Sequence, residues 1–235
     1  MPRNCRAILF DAGNTILFPR VDVLADELQR EGYSVTVADF YAAEREGKRI
    51  LDEWLWPLLR DGKAPPKADY YYWTEYLKAL VRRLDIPEDK QQQAGLRLAE
   101  RFKEINTWSR IFPDAREYLC ALRDRGYVLG VVSNSMGLIE HQLIEVGLAP
   151  CFSFILDSHY VGFEKPHPEI FRLALERTGC APSEALFVGD LYSTDIGGAQ
   201  NAGLEGVLMD WVGAYPDAPV PRITSLPELD QTLSR

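Results

Sequence analysis

Cysteines and histidines are scarce in this sequence, and long apolar runs are missing. The three histidines show no metal-ligand spacing, and the four cysteines include no C-x-x-C pair. We therefore expect no zinc site. The cysteines are expected to be reduced, mostly buried thiols rather than parts of a disulfide framework. Apolar runs such as 127–132 are too short to cross a bilayer. The apolar stretch near the N-terminus is interrupted at Asp11 before it reaches signal-peptide length, so the sequence predicts a cytoplasmic protein that does not bind membranes.

Basic residues are outnumbered by acidic residues. The chain has 26 lysines and arginines against 35 aspartates and glutamates, which gives a formal net charge of -9. A nucleic-acid binder depends on a basic surface, so this charge argues against nucleic acid as a partner. It also means that an anionic substrate has to be held by a metal ion, by lysines or by helix N-termini concentrated at one site.

Short apolar runs and helical patterns alternate along much of the chain. Five runs have strand length and lie next to turn residues: 6–10, 127–132, 152–156, 185–188 and 206–209. After residue 110, helical spacing of apolar residues separates these runs, and Asp114 and Glu117 have the spacing of a capping box. The alternation predicts an α/β fold, with a Rossmann-like parallel sheet that carries helices on both faces.

The segment 18–109 differs, because helical patterns follow one another there without a convincing strand. Thr36 and Asp39 are placed to cap a long helix, 61–69 has the composition of a loop, and 87–106 is typical of another helix. The apolar face of the long helix comprises Phe40, Ala43, Gly47, Ile50 and Trp54.

This change of pattern predicts two domains within the 235 residues. One is an α/β core formed by 1–17 and 110–235. The other is an all-helical domain, 18–109, inserted into that core.

Polar residues follow several of the expected strands. Ligands of an open parallel sheet bind beyond the carboxyl ends of its strands, so these residues are candidates for a site. Each one alone also suits an ordinary turn or helix cap. Together they supply carboxylates, a hydroxyl and a lysine at one sheet edge: Asp11, Gly13, Ser133, Asn134, Lys165, Asp190 and Asp195.

The segments around these residues resemble the haloacid dehalogenase (HAD) superfamily, in subfamily I with a helical C1 cap. The matching segments are ILFDAGNT, VVSNS, GFEKPHPEIF and FVGDLYSTDIGGAQNAG, and they occur in the family's order. The helical insertion falls where the cap of that subfamily belongs. The resemblance implies a hydrolase, most often a phosphatase, that acts on a small phosphorylated metabolite.

Under this hypothesis, Asp11 is the nucleophile that forms an aspartyl-phosphate. Mg²⁺ is the expected cofactor, since carboxylates and a main-chain carbonyl suit a hard cation. Its expected ligands are Asp11, the carbonyl of Gly13 and Asp190, with Asp195 bonded to a metal-bound water or to Lys165. Lys165 is expected to offset the charge of the transferring phosphoryl group.

The remaining phosphoryl oxygens are assigned to Ser133 and to the backbone N–H of Asn134, which we expect near a helix start. The oligomeric state expected is a monomer or a homodimer.

Gly13 departs from the family's phosphatases, which usually carry a second aspartate two residues after the nucleophile. A positioned general acid or base contributes about 10² to 10⁴ in rate, roughly 3 to 5 kcal/mol of barrier. A substrate with a good leaving group would lose the least rate when this acid is absent. A carboxylate of the cap or of the substrate could also take over the role of the acid.

Two alternatives stay open. One is a phosphate- or metabolite-binding protein with little catalysis. The other is a C–P or C–halogen hydrolase, of which the C–P type needs a cap lysine: Lys48, Lys63, Lys67 or Lys78.

Overall fold

The computed structural model describes residues 5–60 and 71–234, so the expected loop 61–69 lies outside the described residues. In chain order the strands are β1 (Ala7–Phe10), β2 (Phe18–Pro19), β3 (Trp108–Arg110), β4 (Val128–Ser133), β5 (Phe154–Asp157), β6 (Ala185–Gly189), β7 (Glu205–Met209) and β8 (Arg222–Ile223). The helices are α1 (Val21–Arg30), α2 (Val37–Arg60), α3 (Tyr71–Arg83), α4 (Glu88–Phe102), α5 (Ala115–Asp124), α6 (Ile139–Glu145), α7 (Ser158–Val161), α8 (Pro168–Thr178), α9 (Gly198–Asn201) and α10 (Leu229–Leu233).

Six strands form one parallel sheet in the order β5-β4-β1-β6-β7-β8. The five expected strands and the α/β class are confirmed. The additional strand β8 has two residues, which is too short to produce a recognisable pattern. Every side chain of the central strand β1 is buried, as expected for a strand covered on both faces.

Helices cover both faces of the sheet. Ile8 and Phe10 of β1 belong to the apolar cluster that includes Leu119 of α5. Leu9 points the other way and belongs to the cluster that includes Phe171 of α8. This alternation follows from the two-residue period of a strand, and it places the carboxyl end of β1 between two helical layers.

The helices α1 to α4 lie between β2 and β3 and have an apolar cluster of their own, which includes Leu24, Leu80 and Leu98. β2 pairs antiparallel with β3, so the segment expected to lack strands has a short strand at each end. Pairing of a two-residue segment with a distant three-residue segment leaves no local periodicity to detect. The division of the chain into two domains stays a prediction.

The expected helix caps have different outcomes. Thr36 and Asp39 form reciprocal bonds at the start of α2: the Asp39 N–H donates to Thr36 Oγ1 at 3.3 Å, and the Thr36 N–H donates to Asp39 Oδ2 at 2.9 Å. The capping box expected at Asp114 was wrong, because its side chain makes no cap bond and its backbone lies at φ -99°, ψ 2° instead of in the extended region.

The apolar face expected for α2 differs near the end of the helix. Trp54 is 37% exposed, whereas Leu55 is 3% exposed, so the buried face of α2 shifts by one residue there.

Replacing Thr36 with alanine is expected to destabilise the protein by about 1 kcal/mol, because α2 loses its N-terminal side-chain acceptor. Urea denaturation followed by circular dichroism measures the change. Thr36→Ser keeps the hydroxyl and is the control. Equal stability of the alanine and wild-type proteins would contradict this assignment of the cap.

The expectation that all four cysteines are free thiols was wrong for one pair. Cys120 and Cys151 form a disulfide, with their Cα atoms 4.9 Å apart. α5 packs against the turn that contains Cys151, and the separation of 31 residues gives no sign of this contact. Cys5 and Cys180 are free, and burial raises the pKa of Cys5 to about 11.

No helix of the described segments is long and apolar enough to cross a membrane.

Candidate active site

The residues expected to form a site meet at the carboxyl edge of the sheet. Asp11 follows β1, Ser133 is the last residue of β4, and Asp190 follows β6. Carboxylate oxygens of Asp11, Asp190 and Asp195 all lie within 4.8 Å of one another, and the three side chains are buried. The parallel order β4-β1-β6 causes this convergence, since neighbouring parallel strands end at the same edge.

Lys165 connects the carboxylates. Its Nζ donates to Asp11 Oδ1 and to Asp195 Oδ1, the latter at 2.7 Å. The Asn134 side chain holds the Lys165 main chain on both sides: its Oδ1 accepts from the Lys165 N–H at 2.7 Å, and its Nδ2 donates to the Lys165 carbonyl at 2.8 Å. Asn134 therefore fixes the lysine in place.

The helix expected to begin near Asn134 begins at Ile139 instead. Gly137 has φ +86°, a left-handed conformation that interrupts a helix. The Asn134 N–H is therefore not at a helix N-terminus.

Asp195 shapes the loop that carries Asp190. It lies on a π-helical turn, Tyr192–Gly197, and its Oδ2 accepts from the backbone N–H groups of Asp190 and Leu191, both at 3.0 Å. A Cβ on Gly189 would lie 2.4 Å from the Asp195 Cβ. Glycine at the end of β6 is therefore what allows Asp195 to pack back against the strand.

The cluster is short of positive charge. The carboxylates of Asp11, Asp190 and Asp195 face two buried ammonium groups, those of Lys165 and Lys48. Burial raises the pKa of Asp11 against the opposing effect of Lys165, and burial likewise raises that of Asp190 against Lys48. Buried oxygen donors with an excess of negative charge fit a hard divalent cation such as Mg²⁺.

Lys48 is a site residue that sequence reasoning did not single out from the other lysines. It is fully buried on α2, and its Nζ lies 2.8 Å from Asp190 Oδ2 and 3.9 Å from Glu44 Oε1. Although burial lowers the pKa of Lys48, Asp190 and Glu44 produce a net rise. A Glu–Lys pair spaced i, i+4 beside Ala43 and Gly47 on the buried face is a signal that could have identified it. Lys78 is exposed, and the other candidate lysines lie outside the described residues.

A cavity of about 440 Å³ lies between the sheet edge and the helical insertion. All seven residues that the sequence assigned to the site border it. The insertion contributes apolar side chains: Leu51, Leu55, Leu77, Phe102 and, at its end, Trp108. The Trp108 ring lies 3.3 Å from the point where a Cβ of Gly13 would stand. The cavity thus combines a charged floor with a largely apolar wall.

A model of the haloacid dehalogenase-like hydrolase family matches residues 5–203. The chain belongs to this family. It is therefore a hydrolase, and the resemblance inferred from the four sequence segments is confirmed.

Two curated relatives of this HAD-like chain are phosphatases. The phosphoserine phosphatase of Thermus thermophilus is 34% identical over 91% of this chain and 84% of its own length. The glyceraldehyde 3-phosphate phosphatase of Methanothermobacter thermautotrophicus is 40% identical, but over only 43% of this chain and 45% of its own. A crystal structure of a dehalogenase is 26% identical, with a TM-score of 0.65 over the whole of both chains. Proteins similar to this chain thus include both phosphatases and a dehalogenase.

Proposed function

We propose that this HAD-like hydrolase is a Mg²⁺-dependent phosphohydrolase of a small phosphorylated metabolite. The observation that carries the proposal is the Asp11 carboxylate, which follows the central strand, is paired with Lys165 and borders the cavity. The names of the phosphatase relatives favour a small phosphorylated metabolite as substrate. Whether the protein is a monomer or a homodimer stays a prediction.

In the proposed reaction, an Asp11 carboxylate oxygen attacks phosphorus and forms an aspartyl-phosphate. Lys165 holds that carboxylate in position and offsets the negative charge of the phosphoryl group. Ser133 and Asn134 border the same cavity. The Ser133 hydroxyl and the Asn134 N–H would donate to the remaining phosphoryl oxygens. Water then hydrolyses the aspartyl-phosphate.

Asp11, the carbonyl of Gly13 and Asp190 would hold Mg²⁺, which supplies charge neutralisation at the phosphoryl oxygens when bound. Asp195 contributes through its bonds to the Asp190 backbone and to Lys165. Its two carboxylate oxygens thereby link the metal ligand and the lysine.

The C–P alternative needs a lysine amine accessible to substrate, and Lys48 does not supply one. Lys48 is fully buried between Asp190 and Glu44, and it is absent from the described residues that border the cavity. The C–halogen alternative has the dehalogenase likeness in its favour, but the excess of carboxylates favours a metal-dependent reaction.

The metal dependence is directly testable. With Mg²⁺ present, the protein is expected to release phosphate from para-nitrophenyl phosphate. This activity is expected to fall to background after EDTA treatment and to return when Mg²⁺ is added in excess. The reason is that the carboxylate cluster needs a cation to accept an anionic substrate. A colorimetric assay of phosphate measures this. Full activity without a metal would contradict the proposal, and halide release from a 2-haloacid in EDTA would identify the C–halogen reaction instead.

A further inference from the structure

The position that usually carries the acid of a HAD phosphatase is closed in this protein. Gly13 has no side chain, and the Trp108 ring occupies the space beside it. Protonation of a poor leaving group therefore has to come from another group, either of the protein or of the substrate. The helical insertion forms the opposite wall of the cavity, so its polar side chains are the ones to consider.

Five carboxylates border the cavity within the described part of the chain: Asp11, Glu44, Glu164, Asp190 and Asp195. Three of them form the cluster at the sheet edge, and Glu164 is exposed. Glu44 of α2 is buried. We propose that Glu44 is the general acid and base of the reaction, in place of the carboxylate missing at Gly13.

Glu44 is held next to the loop that carries the nucleophile. Its Oε1 accepts from Asn14 Nδ2 at 2.9 Å, and its Oε2 accepts from the Tyr76 hydroxyl. Asn14 is the residue after Gly13 in the chain. A Cβ on Gly47 would lie 2.9 Å from the Tyr76 ring, so a glycine on α2 is what lets this ring lie against the helix and reach Glu44.

The surroundings of Glu44 suit a group that both gives and takes a proton. Burial raises its pKa to about 7; Lys48 on the same helix opposes the rise, and Asp190 adds to it. Asn14 and Tyr76 face it from the other elements. Asn14 Oδ1 is buried and accepts no hydrogen bond from the described residues, so it is free to accept one from a water. A pKa near the working pH is what acid–base catalysis requires.

The inference rests on the proposed function, and Glu44 takes part in both of its steps. As an Asp11 oxygen bonds to phosphorus and the P–O bond to the leaving group breaks, protonated Glu44 gives its proton to the departing oxygen and an alcohol leaves. Glu44, now a carboxylate, then takes a proton from a water whose oxygen attacks phosphorus. The bond to Asp11 breaks, phosphate is released, and one water has been consumed.

Two substrates with similar rings separate this role from a structural one. Benzyl phosphate has an alcohol leaving group that needs a proton, whereas the nitrophenolate of para-nitrophenyl phosphate leaves without one. Glu44→Gln is expected to lower kcat/KM by about 10² to 10³ for benzyl phosphate and by less than about tenfold for para-nitrophenyl phosphate. In the wild type, kcat/KM for benzyl phosphate is expected to fall as the pH rises above about 7, and this fall is expected to disappear in Glu44→Gln.

Asp52→Asn is the matched control. Asp52 lies on the same helix, and its replacement removes the same charge. Its carboxylate accepts a hydrogen bond from the Ser193 N–H rather than from a residue of the cavity wall. This variant is expected to change kcat/KM for both substrates by the same factor. If Glu44→Gln does the same, Glu44 is a structural residue and the inference is overturned. If the wild type with Mg²⁺ hydrolyses neither substrate, the proposed function itself fails, and the role of Glu44 fails with it.

Tyr76→Phe tests the same idea without removing the carboxylate. Loss of the hydroxyl that donates to Glu44 is expected to raise the pKa of Glu44 and to move the alkaline fall of the benzyl phosphate profile to higher pH. An unchanged profile would overturn the inference even if Glu44→Gln did not fold.

Discussion

Asp11→Asn is expected to lower Mg²⁺-dependent phosphate release by at least about 10⁴-fold, because a carboxamide cannot form the acyl phosphate through which the reaction proceeds. The change preserves the size of the side chain at the end of β1, where the residue is buried. The loss is expected for aryl and alkyl phosphates alike. Single-turnover and steady-state assays of phosphate release measure it.

Asp157 provides a matched control for this experiment. It is a second buried aspartate at the carboxyl end of a strand, β5, where it caps α7 by accepting from the His159 N–H at 3.0 Å. Asp157→Asn is expected to keep activity within about tenfold of the wild type, since its role is that of a cap. Equal activity of Asp11→Asn and the wild type would exclude Asp11 as the nucleophile.

Lys48→Met is expected to destabilise the metal-free protein by about 3 to 5 kcal/mol, because it leaves the carboxylate of Asp190 buried without its ion-pair partner. Neither partner of this pair is more than 6% exposed, so solvent screens the interaction little. For a chain of this length, such a loss lowers Tm by roughly 6 to 20 °C. Thermal unfolding in EDTA measures the difference.

The same variant also tests the link between Lys48 and the metal site. Mg²⁺ is expected to raise Tm more in Lys48→Met than in the wild type, because the ion then replaces the missing ammonium beside Asp190. Lys90→Met, which removes an exposed lysine on α4, is expected to change little in either condition. A Lys48→Met protein as stable as the wild type in EDTA would show that Asp190 does not need this lysine.

The parallel sheet could be predicted because its strands are buried on both faces and therefore appear as continuous apolar runs. The clustering of Asp11, Ser133 and Asp190 also follows from the sequence, since each comes at the end of a strand and neighbouring parallel strands end at one edge. Through the resemblance to the family, Gly13 was also recognisable in the sequence as a departure from the family's phosphatases. These features depend on local periodicity and on the order of the segments, and the linear sequence contains both.

Contacts between elements that are distant in the chain were decided only by the tertiary structure. The disulfide Cys120–Cys151, the Trp108 ring beside Gly13 and the arrangement of Glu44 and Lys48 at the sheet edge all require one element to be packed against another. The i, i+4 spacing of Glu44 and Lys48 beside Ala43 and Gly47 indicates that both lie near the buried face of α2. It does not record which element packs against that face. The sequence by itself determined the sheet, its edge and the position of Asp11, the residue proposed as the nucleophile. The fold decided which residues of the helical insertion face them.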